Sequence, residues 1–107
     1  MTTFDKREQA LEALFVHDEE MKFCAAARRN KLLGLWAAER LGKQGEAAEA
    51  YAKSVVMSDF EEEGDHDVFR KVRRDFDDAG VAHSDQEIRR VMDELLATAV
   101  AQLQTER

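Results

Sequence analysis

The 107-residue chain contains no proline and only five glycines. Proline ends helices more strongly than any other residue, and glycine comes next. The rest of the sequence is rich in Ala, Leu, Glu, Lys and Arg, which are strong helix formers. Apart from Gly34, the glycines fall at positions 42–45, 64 and 80. The sequence therefore predicts an all-α fold whose helices are joined by short loops at these glycines.

Local signals define the ends of four helical stretches. Gly42 and Gly80 are expected to end helices in the left-handed conformation. Ser84 and Glu87 have the spacing of a capping box and are expected to begin the last helix. Asp65 is expected to cap the third helix. The predicted helical stretches are residues 5–41, 46–60, 65–79 and 84–103. From residue 21 onward they fit an antiparallel four-helix bundle.

The first stretch changes its apolar face part-way along. On a helix, Phe4, Leu11 and Phe15 lie within about 40° of one another. The next turn would continue this stripe with Asp18, Glu19 and Lys22, so the stripe stops there. It restarts on a face rotated by about 80°, with residues Phe23, Ala26, Ala27, Gly34, Ala37 and Leu41. We therefore predict an N-terminal arm over residues 1–20 and a helical bundle over residues 21–107.

The net charge of −7 argues against several classes of partner. An acidic protein does not suit nucleic acid or an anionic membrane surface. No apolar run approaches the roughly 20 residues of a membrane helix, and the polar N-terminus is unlike a secretory signal. We expect a cytoplasmic protein that binds no nucleic acid and does not insert into a membrane.

The acidic run at residues 59–67 invites comparison with an EF-hand calcium loop. Gly64 occupies the required glycine position, but Arg70 stands where the loop needs a bidentate glutamate. The sequence also has neither a phosphate-binding loop nor a serine or cysteine nucleophile with an evident base. We predict no metal, no cofactor and no enzymatic activity.

The histidines and the single cysteine do not form a zinc pattern. His17, His66 and His83 lie in three separate segments, away from zinc-ligand spacing with Cys24. We expect the histidines to be exposed to solvent. We expect Cys24, within an apolar string, to fill space in the core.

A basic island extends from residue 28 to residue 43, and two interpretations stay open. Its cations can complement the acidic run at 59–67 within the same bundle, or they can contact phosphate. In the second case an adenine nucleotide would bind near Arg28, Arg29, Lys31 and Trp36, and the protein would be a regulatory sensor. A third hypothesis is an assembly scaffold whose partner binds the face at residues 32–36.

The string Arg28-Arg29-Asn30-Lys31-Leu32-Leu33-Gly34-Leu35-Trp36-Ala37-Ala38-Glu39 resembles a signature of the zeta subunit of the alphaproteobacterial F-type ATP synthase. The opening Phe4-Asp5-Lys6-Arg7-Glu8 and the later Asp18-Glu19-Glu20 fit the same family, as do Tyr51-Ala52, Val55-Val56, Gly64-Asp65 and Asp67-Val68. The resemblance covers nearly the whole chain. It implies a four-helix bundle with a mobile N-terminal arm.

The resemblance also implies a function. The arm is expected to enter the catalytic F1 head of ATP synthase, contact its alpha, beta and gamma subunits, and block rotation during ATP hydrolysis. The expected contact residues are Phe4, Asp5, Arg7, Glu8, Leu11 and Phe15. The protein would be a monomer when free and would lie at the inner membrane only through ATP synthase.

Overall fold

The computed structural model describes residues 19–60 and 65–106, and these ranges contain four α-helices and no strand. Helix α1 spans Glu19–Arg40, α2 spans Gly45–Met57, α3 spans His66–Ala79 and α4 spans Asp85–Thr105. A short 3₁₀ helix, Ser58–Phe60, follows α2. The all-α prediction is confirmed, although α2 ends in this 3₁₀ turn instead of running as α-helix to residue 60.

The glycine and capping signals act where the sequence placed them. Gly80 ends α3 with a φ of 71°, and the Val81 N–H donates to the Phe76 carbonyl. Ser84 and Glu87 form the predicted capping box, because each side chain accepts from the other residue's backbone N–H. Asp65 holds the N-cap position of α3, but its side chain makes no capping hydrogen bond. The capping role predicted for its carboxylate was therefore wrong.

Helix α1 is the central element and packs against the other three helices. It runs antiparallel to α2, since Gly34 meets Ala52 and the earlier Asn30 meets the later Asp59. It also runs antiparallel to α4, with Ala25 packed beside Val100 at one end and Trp36 beside His83 at the other. This arrangement explains why residues 32–36 of α1 are apolar on nearly all sides of the helix.

Two hydrophobic clusters hold the helices together. The larger one lies between all four helices, and its fully buried members are Leu33, Ala37, Val55, Val68, Val72, Phe76, Ile88 and Met92. The smaller one joins the start of α1 to the end of α4 and contains Ala25 and Val100, with Met21, Leu96 and Leu103 packed against it.

Candidate partner-binding site

The predicted contact residues of the arm, Phe4, Asp5, Arg7, Glu8, Leu11 and Phe15, all lie outside the described residues. The structure instead shows where the arm joins the bundle. Helix α1 begins at Glu19, and Met21 already packs against the cluster formed by Ala25 and Val100. The chain is therefore anchored to α4 within about one helical turn of its first described residue.

Phe23 is exposed, which corrects the prediction that it begins the buried face of α1. Its exposed fraction is 67%, although it lies within about 20° of Gly34 on the helix. Gly34 is buried because α2 packs over it, whereas Phe23 lies eleven residues earlier, past the end of α2. Phe23 shares the azimuth of Gly34, but α2 does not extend far enough along α1 to cover it.

Cys24 is also exposed, so its expected place in the core was wrong. It lies about 80° from Gly34, on the side of α1 that faces away from the core. Ala25, the next residue, takes the buried position against α4. The apolar string around Cys24 therefore did not identify which of its members faces inward.

A polar network crosses the interior from α1 to both ends of the acidic run. Arg29 and Asn30 are 4% and 1% exposed. The Arg29 Nε donates to Asn30 Oδ1 at 2.7 Å, and Asn30 Nδ2 donates to Asp59 Oδ2 at 2.9 Å. Arg29 also faces Asp65 at 3.8 Å, and Asp65 accepts from Arg89 at 2.7 Å. The network ties α1 to the chain on either side of residues 61–64.

Burial sets the electrostatics of this network. Desolvation lowers the pKa of the Arg29 guanidinium, and the negative charges of Asp65 and Asp59 oppose that shift. A buried charge of this kind needs its partners, because an unpaired one is costly in the interior. The interpretation that basic residues complement the acidic run is confirmed for Arg29.

The residues expected near a nucleotide contact different elements. Arg28 donates to Glu106 at the end of α4, at 2.7 Å, whereas Arg29 is buried in the polar network. Lys31 is exposed beside α2, and Trp36 packs against the larger hydrophobic cluster. The structure therefore does not gather these four side chains around one cavity. Nucleotide binding stays a prediction.

Trp36 belongs to an aromatic group at the other end of α1. Its ring centroid lies 5.7 Å from that of Phe76 and 5.4 Å from that of His83. The Arg40 guanidinium lies over the Trp36 ring, 4.6 Å from the centroid. His83 is half-buried in this group, which corrects its expected exposure, whereas His66 is exposed as predicted and His17 lies outside the described residues.

Comparison with known families decides the identity of the chain. A family model described as ATPase inhibitor subunit zeta matches residues 1–102. The chain belongs to the ATPase inhibitor subunit zeta family.

A solved structure has a similar fold. The chain resembles a protein whose structure was determined by solution NMR, with 52% sequence identity and a TM-score of 0.72. The likeness covers 81% of this chain and 99% of that one. Comparison with curated proteins finds no significant match.

Family membership assigns an inhibitory role at ATP synthase, so this zeta-family chain is a regulatory protein and not a catalyst. Within residues 19–60 and 65–106, every helix is too short or too polar to cross a bilayer. The same residues bring no three His, Cys, Asp or Glu side chains into an arrangement that holds a metal ion.

Sequence reasoning missed two features of this zeta-family chain that bear on binding. It placed Arg29 in a basic island with two interpretations open, and it did not predict that the side chain is buried. The position of Leu33 was a signal for the burial of Arg29, because the two residues lie about 40° apart on the helix. It also placed Phe23 inside, and no local signal shows where α2 ends relative to that residue.

Proposed function

We propose that this protein inhibits ATP hydrolysis by inserting its N-terminal arm into the F1 head of ATP synthase. The arm, residues 1–20, would wedge into the interface between catalytic subunits and stop the rotation of the gamma subunit. The observation that carries this proposal is the family match, which begins at residue 1 and therefore includes the arm as well as the bundle.

The described fold supports separate roles for the arm, which would bind the partner, and the bundle, which folds on its own contacts. Residues between Met21 and Leu103 supply two hydrophobic clusters of their own. Met21 fixes the first turn of α1 to α4, immediately after the arm. A bundle of this kind is expected to stay folded when residues 1–18 are removed.

The energetics require a deep binding cleft. Burial of Phe4, Leu11 and Phe15 contributes about 1.5–3 kcal/mol each. Ordering the backbone of the arm opposes binding by about 1–2 kcal/mol per residue. Three anchors do not offset that cost over fifteen residues, so the partner must enclose the helix and satisfy its polar groups. Asp5, Arg7 and Glu8 are the proposed polar contacts.

Deletion of residues 1–18 tests the mechanism with purified F1 from the same organism. The truncated protein should keep its helical circular dichroism and thermal midpoint, and it should lose inhibition of ATP hydrolysis. Inhibition that is equal with and without the arm contradicts the mechanism.

Single substitutions sharpen this experiment. Leu11→Ala and Phe15→Ala should each weaken inhibition. Lys6→Ala is the matched control because residue 6 lies on the opposite side of a helix from Phe15. A photo-crosslinker at residue 11 would then identify the subunits that contact the arm, and labelling confined to subunits outside the F1 head would contradict the proposed site.

A further inference from the structure

Phe23 is the most exposed large apolar side chain among the described residues. It is 67% exposed, and Met57 follows at 59%. The two lie on different helices, and only Phe23 is next to the arm, four residues after the start of α1. Because the Phe23 side chain packs in neither described cluster, a partner protein is the candidate for its contact.

The bundle leaves this side of α1 open for a simple reason. The α1–α2 contact centres on Gly34, and the Asn30–Asp59 hydrogen bond lies near the end of the paired segment. Phe23 lies seven residues before Asn30, which is about 10 Å further along the helix axis. Met21 and Ala25 face α4 from the same turns, so Phe23 projects from a segment whose opposite side is firmly packed.

We infer that Phe23 is a second contact with ATP synthase, made by the bundle itself at the rim of the cleft that receives the arm. This inference rests on the proposed function of the arm. Phe15 and Phe23 are eight residues apart, so on a continuous helix they are separated by about 12 Å and about 80°. Phe23 therefore adds an apolar side chain to the part of the bundle next to the arm in sequence, on an azimuth about 80° from that of Phe15.

The position of Phe23 makes this contact efficient. The backbone around it is helical in the free protein, since α1 begins at Glu19 and Met21 holds it against α4. Binding through Phe23 therefore orders only its own side chain. The partner surface that fits it is an apolar pocket at the mouth of the subunit interface.

Paired substitutions test the contact by inhibition of F1. Phe23→Ala should raise the concentration needed for half-inhibition about tenfold, which corresponds to about 1.4 kcal/mol. Met57→Ala removes a similarly exposed side chain from α2 and should leave inhibition unchanged. Both variants should keep the thermal midpoint of the parent protein, because neither side chain is part of a described cluster.

The adjacent thiol gives a readout that does not depend on inhibition. Cys24 is the single cysteine of the chain and is exposed, so its rate of alkylation by iodoacetamide reports access to this surface. Binding to F1 should slow that reaction. In a Cys24→Ser background, a cysteine placed by Ala47→Cys on the exposed side of α2 should react equally fast in the free and bound states.

The two proposals fail in different ways. If Phe23→Ala inhibits like the parent protein and Cys24 reacts at the same rate in the complex, the second contact does not exist, even when arm deletion abolishes inhibition. If arm deletion leaves inhibition intact, the arm mechanism fails. Protection of Cys24 together with a weaker Phe23→Ala variant would still establish the contact made by the bundle.

Discussion

Gly34 lies at the closest approach of α1 and α2, and its replacement by alanine tests the packing of the bundle. A Cβ at this position would lie 2.5 Å from Ala52 Cα, 3.0 Å from Ala52 Cβ and 3.2 Å from the Ala52 carbonyl oxygen. Two of these atoms belong to the backbone, so no rotamer change relieves the overlap. The two helices must separate by roughly 1 Å to restore a normal carbon–carbon contact.

The expected magnitude follows from two opposing effects. Alanine gains about 1 kcal/mol over glycine in helix propensity. Overpacking of a filled core typically costs about 1–3 kcal/mol, and a clash with backbone lies at the upper end of that range. Gly34→Ala should therefore lower the free energy of unfolding by about 2 kcal/mol. For a domain of this size, the thermal midpoint should fall by roughly 8–16 °C.

Urea unfolding followed by far-ultraviolet circular dichroism measures the change, and the fluorescence of Trp36, the single tryptophan, provides a second probe. Ala50→Gly is the control, because Ala50 is exposed on α2 and reports helix propensity alone. It should lose about 1 kcal/mol. A Gly34→Ala protein that is as stable as the parent, or more stable, would refute the argument from close helix contact.

Three further predictions concern polar groups of the bundle. Asn30→Ala leaves the buried Arg29 and the half-buried Asp59 without their hydrogen bonds to this side chain. It should lower the free energy of unfolding by about 2 kcal/mol in urea titrations, and a loss below about 0.5 kcal/mol contradicts this role. Burial and the hydrogen bond to Asp75 raise the pKa of Tyr51, the single tyrosine. Absorbance at 295 nm should therefore show its ionisation only above the ordinary pKa of 10.0, and the free energy of unfolding should fall as pH rises through that value. The hydrogen bond from the Ser84 N–H lowers the pKa of Glu87. The parent protein should therefore be more stable than Glu87→Gln above the ordinary pKa of 4.5, and this difference should disappear as pH falls through the folded-state pKa. A difference in stability that persists in stronger acid would contradict this assignment.

Helix positions and inward faces were predictable because they depend on local spacing. Val68, Val72 and Phe76 recur at helical intervals, and all three are fully buried in the larger cluster. The end of α3 at Gly80 was predictable for the same kind of reason, since a left-handed residue there stops the helix within a few residues of the signal.

The errors share a different physical cause. Exposure of Phe23 depends on where α2 ends, and the place of His83 depends on Trp36 and Phe76 from two other helices. Asp65 was expected to cap α3, but Arg89, 24 residues away in sequence, binds its carboxylate instead. Each outcome is set by contacts between distant segments, which helical periodicity does not encode. The predicted roles of the arm residues remain predictions for the same reason, since they concern a partner chain.

The junction between arm and bundle offers a mechanism for binding that a free peptide lacks. Starting a helix is unfavourable by a factor of about 10⁻³, whereas extending one is nearly neutral. Helix α1 is formed over Glu19–Arg40, so an arm that docks as a helix over residues 5–18 can continue α1 and needs no nucleus of its own. The proposed inhibitory helix is then an extension of α1.

Glu20→Pro tests this coupling. Glu20 precedes every residue of the two described clusters, so the bundle should stay folded. The proline ring clashes with the carbonyl of Val16, four residues earlier, and therefore prevents the arm from continuing α1. Inhibition of F1 should weaken by roughly 10- to 1,000-fold, the upper value being the full cost of nucleation. Glu20→Ala removes the same carboxylate without breaking the helix, so a Glu20→Pro protein that inhibits as well as Glu20→Ala would show that the arm binds independently of α1.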